Sequence, residues 1–128
     1  MKKGILLTLL SIFSLLFICS CSFTSDDKGT ITVELVELDQ TVAITKEIKF
    51  NEGDELVSLL EANFENVVVK DGMLISIEHF KNADDWSTWI CIYVDNEMSN
   101  YGVTQLQFKD GTIISFRITE YIRWYEKN

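Results

Sequence analysis

Alternation of apolar and polar positions opens the readable part of the chain. Ile31, Val33 and Leu35 point one way and Thr32 and Glu34 the other, the period of a half-buried strand. Asp39-Gln40 interrupts, and a second run through Val42, Ile44, Ile48 and Phe50 completes a predicted β-hairpin. Asn51-Glu52-Gly53-Asp54 then turns the chain. Leu56, Leu59, Leu60 and Phe64 recur at helical spacing, which predicts a helix that starts with Asp54 as N-cap and ends near Asn63. Every later pattern is strand-like. Residues 67–70 and 73–80 flank Asp71-Gly72, a two-residue hairpin signal. Residues 86–94 are aromatic and β-branched, and Asp95-Asn96-Glu97 turns them. Residues 103–109 and 112–121 flank Asp110-Gly111, read as a second hairpin, with the last strand running on to Tyr125.

Two strands, one helix and then four or five strands predict an α+β domain over residues 30–125. Its most economical form is a β-grasp-like mixed sheet packed on the single helix. The chain has no proline, no visible repeat and no internal linker, so one domain is expected.

The N-terminus has a different pattern. Lys2 and Lys3 precede an apolar run from Ile5 to Ile18 that is broken only by Thr8, Ser11 and Ser14. Its length suits the h-region of a signal peptide better than a membrane span. It ends in Ile18-Cys19-Ser20-Cys21, which resembles the lipobox of bacterial lipoproteins, with small Ser20 before the cut and Cys21 as the acylated thiol. Residues 1–20 are therefore expected to leave as a signal peptide, and 21–29, with Asp26 and Asp27, to form a flexible tether. A diacylglyceryl group on Cys21 supplies two chains, at about 0.8 kcal/mol per buried methylene, which is enough for stable attachment. The expected place is the extracytoplasmic face of the cell membrane, with the membrane as partner through Cys21.

Charge narrows the partners further. The chain holds 20 acidic and 11 basic residues, for a formal net charge of −9, and loss of Lys2 and Lys3 makes the mature balance more negative. Nucleic acid and anionic headgroups both need positive charge, so neither is expected to bind, and a solvated monomer is. Of the three cysteines, Cys19 is discarded, Cys21 is acylated and Cys91 is left alone. That excludes a disulfide framework or a thiol metal cluster, and the apolar run around Cys91 reads as a small buried hydrophobe.

Catalytic patterns are sparse, and no enzyme is expected. His79 is the only histidine, with no Gly-x-Ser-x-Gly elbow to accompany it. The carboxylate pairs Asp84-Asp85 and Asp95 with Glu97 lack the regular spacing of a calcium loop and read as solvated turns; no metal and no resident cofactor are expected.

Aromatic side chains give the binding hypothesis. Trp86, Trp89, Tyr93 and Tyr101 lie along one strand and the loops at its ends, with Asn96 in the turn. Strand alternation sets Trp89, Cys91 and Tyr93 on one face and Ile90, Ile92 and Val94 on the core side. Rings on the less buried face offer a flat apolar area with a polar tip, suited to stacking. A second layer of core accounts for the same rings equally well.

A family resemblance joins these pieces. Glu52-Gly53-Asp54 before the helix, Trp89-Ile90-Cys91-Ile92-Tyr93-Val94-Asp95-Asn96 in the strand and turn, and Asp110-Gly111-Thr112-Ile113 near the end occur in order. Over residues 30–120 the chain resembles a bacterial domain-of-unknown-function family similar to the C-terminal domain of transcobalamin and intrinsic factor. Many members of that family have Asn-Gly where Asn96-Glu97 stands, and an Asp is usual where Thr112 stands. The resemblance implies a small non-catalytic domain that binds a flat molecule in uptake, cobalamin being the ligand it suggests. The chain lacks the helical barrel with which the transcobalamin domain encloses cobalamin. The alternative is a structural or adhesive surface module whose aromatics contact protein or glycan.

Overall fold

The computed structural model describes residues 28–120. The expected signal peptide, the expected lipidation site Cys21, most of the expected tether and the expected extension of the last strand to Tyr125 lie outside the described residues.

Among the described residues there are eight strands and one helix. β1 (Gly29–Val36) and β2 (Val42–Phe50) form the expected antiparallel hairpin, paired from Gly29 with Phe50 to Val36 with Val42, with a bulge at Leu35/Val36. Its turn is closed by Thr41, whose backbone amide donates to Asp39 Oδ1 at 2.9 Å. The helix α1 (Leu56–Asn63) follows, then β3 (Val68–Lys70), β4 (Met73–Ile77), β5 (Phe80–Lys81), β6 (Thr88–Val94), β7 (Glu97–Met98) and β8 (Ile113–Glu120). Five strands make the main sheet in the order β2-β1-β8-β6-β7, and β3-β4-β5 make a small second sheet.

At the centre β8 runs parallel to β1, with Val33 beside Ile114 and Leu35 beside Phe116, and antiparallel to β6 on its other side. The fold is therefore α+β, with a mixed, β-grasp-like sheet and one helix. A parallel pair cannot close through a tight turn; everything between β1 and β8 serves as the crossover. Ile31, Val33 and Leu35 from β1, Ile114 and Phe116 from β8, and Leu60 from α1 are essentially fully buried. The predicted stripe of Leu56, Leu59, Leu60 and Phe64 is the helix's buried face. Ile77 and Phe80 join the same core from the small sheet.

Three local expectations are corrected. Glu55, not Asp54, occupies the N-cap of α1 and makes no side-chain cap bond. Asp54 instead closes the preceding turn, its Oδ2 accepting from the Asn51 amide at 2.8 Å. The run 73–80 is not one strand, because Glu78 takes φ 52° and splits β4 from β5. Residues 103–109 form no strand: Val103 and Leu106 drop into the core from an irregular loop, and Asp110-Gly111 is not a hairpin turn. The Asp110 carboxylate accepts from the Thr30 amide at 2.8 Å, and the Gly111 amide donates to the Thr30 carbonyl at 2.9 Å. This turn fastens the incoming β8 to the start of β1.

The Asp71-Gly72 turn behaves as expected, whereas the turn read over Asp95-Asn96-Glu97 is shorter, because Glu97 pairs with Val94 as the first residue of β7. Asp71 and Gly72 have φ of 52° and 80°, and Asp95 and Asn96 have 49° and 68°. Positive φ at both central positions is the geometry that matches strand twist in a tight hairpin.

Candidate functional site

β6 lies between β8 and the short edge strand β7, and its alternation divides the side chains as expected. Ile90 is buried, with Ile92 and Val94 packed on the core. Trp89, Cys91 and Tyr93 occupy the opposite face, each half-buried. Register with β8 sets Trp89 beside Thr119, Cys91 beside Arg117 and Tyr93 beside Ser115.

Arg117 organises this face. Its guanidinium carbon stands 4.1 Å from the centroid of the Tyr93 ring, a cation–π contact. One terminal nitrogen donates to Asn96 Oδ1 at 3.0 Å. Asn96 is available there because the tight turn after β6 folds it back beside the strand. The guanidinium Nε is buried and has no hydrogen-bond partner among the described residues. Glu34 reaches the same face from β1, but its Oε2 accepts from the Ser115 hydroxyl at 3.1 Å, which leaves Arg117 without a carboxylate. The thiol of Cys91 is pushed up from its ordinary 9.0 by burial; the Ile92 backbone, the Arg117 charge and the Thr119 hydroxyl offset this only in part. At neutral pH it is a thiol and not a thiolate.

Of the residues singled out in the sequence, Tyr93 and Asn96 are brought together through Arg117, and Trp89 shares their face. Trp86 and Tyr101 lie in loops on either side of the β6–β7 hairpin and are 50% and 62% exposed. Trp86 has φ 59° in a turn braced by Asp85, whose Oδ1 accepts from the Ser87 amide at 3.0 Å. Tyr101 is held by reciprocal bonds of 3.0 Å between Ser99 Oγ and its backbone. Arg117 was missed as a site residue. Its place on the outward face is legible from alternation with Phe116 and Ile118, but the register that sets it against Cys91 and Tyr93 is not.

The carboxylates read as solvated turns do have structural partners. Asp85 braces the loop before β6, and Asp95 Oδ1 accepts from the Ile113 amide at 2.9 Å, linking the hairpin to the start of β8. Among the described residues, no three His, Cys, Asp or Glu side chains converge as a metal site would require. His79 Nε2 meets Glu37 Oε1 at 2.6 Å across an exposed surface, joining the small sheet to the β1–β2 turn.

A groove of about 780 Å³ lies on the helix side, between the start of α1 and the loop before β8. Phe50, Leu56, Val103 and Phe108 contribute its apolar wall, with Asn51 and Gln107 among its polar lining. Phe50 and Phe108 meet edge to face at 4.9 Å. None of Trp86, Trp89, Tyr93, Asn96 and Tyr101 lines it.

Residues 53–120 match the family model described as Domain of unknown function (DUF4430), more than half of the chain. The chain belongs to the DUF4430 family. The matched span opens at the turn before α1, so the DUF4430 match includes β8 and the whole β6–β7 hairpin but not β1, the strand that β8 pairs with in parallel. No curated protein matches the chain. Among solved structures, the DUF4430 chain is similar to the crystal structure of a protein from Ruminococcus gnavus ATCC 29149 named a "putative metal binding protein". The two are 20% identical, with a TM-score of 0.55, over 72% of this chain and 97% of that one. At that identity the likeness shows a shared fold.

Proposed function

We propose that this DUF4430 protein is a non-catalytic binding module, held on the extracytoplasmic face of the cell membrane by a lipid on Cys21, whose ligand is a flat small molecule of the corrinoid kind taken up by the cell. The observation that carries the reading is the Tyr93–Arg117–Asn96 arrangement on the face shared with Trp89. A guanidinium held 4.1 Å above a tyrosine ring is a preorganised flat surface, and ligands bind with less entropic cost where such groups are already fixed. The resemblance of residues 30–120 to a family similar to the transcobalamin C-terminal domain supports a corrinoid as the first ligand to try. Catalysis has no part in the reading: His79 is committed to Glu37, and Cys91 lacks the lowered pKa of a nucleophile. Metal binding, the property in the R. gnavus protein's name, draws no support from the described side chains.

Tryptophan fluorescence tests this. Addition of cobalamin or haem to the purified protein is expected to quench emission saturably, and Tyr93→Ala to weaken the effect at least tenfold. Emission that stays unchanged at high micromolar ligand overturns the small-molecule reading. Mass spectrometry of the mature N-terminus tests the anchor, with an unmodified thiol or a different first residue as the overturning result.

The exposure of Trp86 and Tyr101 favours a second reading, in which the loop aromatics contact a protein or glycan. Under it, Trp86→Ala with Tyr101→Ala abolishes binding to a protein or glycan surface, and corrinoid leaves the emission of the wild-type protein unchanged.

A further inference from the structure

We infer that the ligand of the β6–β8 face is a planar acid whose carboxylate pairs with Arg117. The inference rests on the small-molecule reading above and adds the ligand's charge. Acidic residues outnumber basic ones 20 to 11 in this chain, so a basic side chain has many potential partners. Arg117 is the one arginine among the described residues, and it pairs with none of them. Glu34, which reaches the same face from β1, is bonded to Ser115 instead.

The donors of Arg117 point the same way. A guanidinium has five N–H donors in a rigid fork. Asn96 takes one, Nε is buried without a partner, and no other hydrogen bond from this side chain is made among the described residues. A neutral acceptor on one prong and an aromatic ring beneath fix the fork's plane without neutralising it. That leaves a flat cation suited to a bidentate carboxylate, for which arginine is the fitted residue and lysine is not. Shape agrees. Trp89 and Tyr93 are four residues apart on one strand face, roughly 13 Å at the usual rise. Between them stands only Cys91, whose short side chain faces Arg117 across the ladder. A planar ring carrying an acid fits over that short side chain, between the Trp89 and Tyr93 positions, with its carboxylate held by the fork.

The test uses the full chain in detergent with naphthoate and its uncharged counterpart naphthamide, read by tryptophan quenching and by the ¹H–¹⁵N resonance of Arg117 Nε. Naphthoate is expected to bind about tenfold more tightly or better than naphthamide and to shift the Nε resonance. Arg117→Gln should bring naphthoate down to the naphthamide level, with the melting transition showing a folded protein. Arg117→Lys, which keeps the charge and loses the fork, should recover only part of the preference. If acid and amide bind wild type equally, or Arg117→Gln keeps the preference, the inference fails while the small-molecule reading survives. If neither probe binds, and cobalamin and haem do not either, both fail together.

Discussion

The carboxylate of Asp110 accepts a 2.8 Å hydrogen bond from the backbone amide of Thr30, eighty positions earlier in the chain. Gly29 lies so close to Asp110 that a Cβ added there would come within 2.5 Å of the Asp110 side chain. The turn before β8 is thus docked onto the first residues of β1, where the parallel ladder begins with Thr32 beside Ile113. Removing the acceptor leaves an exposed amide that water can partly satisfy, so Asp110→Ala should cost about 1 kcal/mol. Amide exchange at Thr30 should rise with it, a site-specific readout that a general loss of stability would not single out. Unchanged exchange at Thr30 would remove the turn from any role in fastening β8.

Asn82 carries a heavier structural load. Its Nδ2 donates to the Leu74 carbonyl at 3.2 Å and its Oδ1 accepts from the Ile90 amide at 2.7 Å, so one buried amide ties the small sheet to β6. Truncation strands two buried backbone groups at once. Asn82→Ala is therefore expected to lose about 2–4 kcal/mol in denaturant unfolding, at 1–3 kcal/mol per unsatisfied group. Asn82→Asp should lose at least as much at neutral pH, since it sets a buried negative oxygen against the Leu74 carbonyl. A loss below 1 kcal/mol for the alanine variant would mean that water replaces the side chain.

What could be read from the chain was local. Hairpin β1–β2 follows from alternation and Asp71-Gly72 from the residues a tight turn demands, because both are decided by neighbours in sequence. The faces of β6 were legible for the same reason, and with them Trp89 and Tyr93. Asp110-Gly111 misled because its composition satisfies a hairpin turn, while its partner Thr30 lies at the far end of the domain. Arg117 stayed hidden for a like reason: its meaning comes from standing across from Cys91 and over Tyr93, and the register of non-consecutive strands leaves no local trace. Asp54 was a reasonable N-cap by type, but Asn51 offered it a closer amide, and the helix starts one residue later without a side-chain cap.

Close packing makes Gly102 a sensitive position. A Cβ there would stand 2.4 Å from the carbonyl oxygen of Gly72, a backbone atom in the β3–β4 turn that cannot swing away as a side chain could. The contact clamps the loop before β8 against the small sheet. Gly102→Ala is expected to destabilise by about 1–3 kcal/mol through forced backbone shifts. Gly53→Ala is the informative control, since no atom lies within 4 Å of its added Cβ and only its φ of 81° opposes the change. It should cost about 1 kcal/mol. A loss at Gly102 no larger than that at Gly53 would show that the Gly72 carbonyl gives way and that crowding costs little.

The turn aspartates give a signed pH dependence. Asp39 is held below the ordinary 3.8 chiefly by the Thr41 side chain, helped by its amide, and Asp85 is lowered in the same way by Ser87. A folded-state pKa below the unfolded one means the ionised form is favoured by folding, so the contribution is complete above 3.8 and is lost as pH falls through the lowered values. Both groups lie in exposed turns, which keeps each effect small. Stability measured against pH should therefore decline below pH 4, and Asp39→Asn with Asp85→Asn should flatten part of that decline. The opposite slope, with stability rising on acidification in this range, would show that these carboxylates gain nothing from their turns.

Cys91 offers a direct probe of the face that Arg117 organises. Burial raises its thiol pKa from the ordinary 9.0, and the neighbouring Arg117 charge is among the smaller influences that lower it. A thiol whose folded pKa is raised stabilises the fold only while protonated, so this contribution is complete below about pH 9 and fades as pH climbs through the folded value. Alkylation by iodoacetamide at pH 8 should accordingly run at least several-fold more slowly in the folded protein than in denaturant, because the thiolate is the attacking form. Arg117→Gln removes one of the influences that favour the thiolate and should slow the folded reaction further, unless loss of the guanidinium opens the face to the reagent. Denaturant unfolding curves and a neutral disulfide reagent of the same size separate those two effects: a reagent gaining access attacks faster at every pH, whereas a raised pKa moves the rate profile to higher pH and leaves its plateau unchanged. A folded-state rate equal to that of the unfolded chain would mean that the face between Trp89 and Tyr93 is as open to water as an extended strand, and a ligand there would gain little from desolvation.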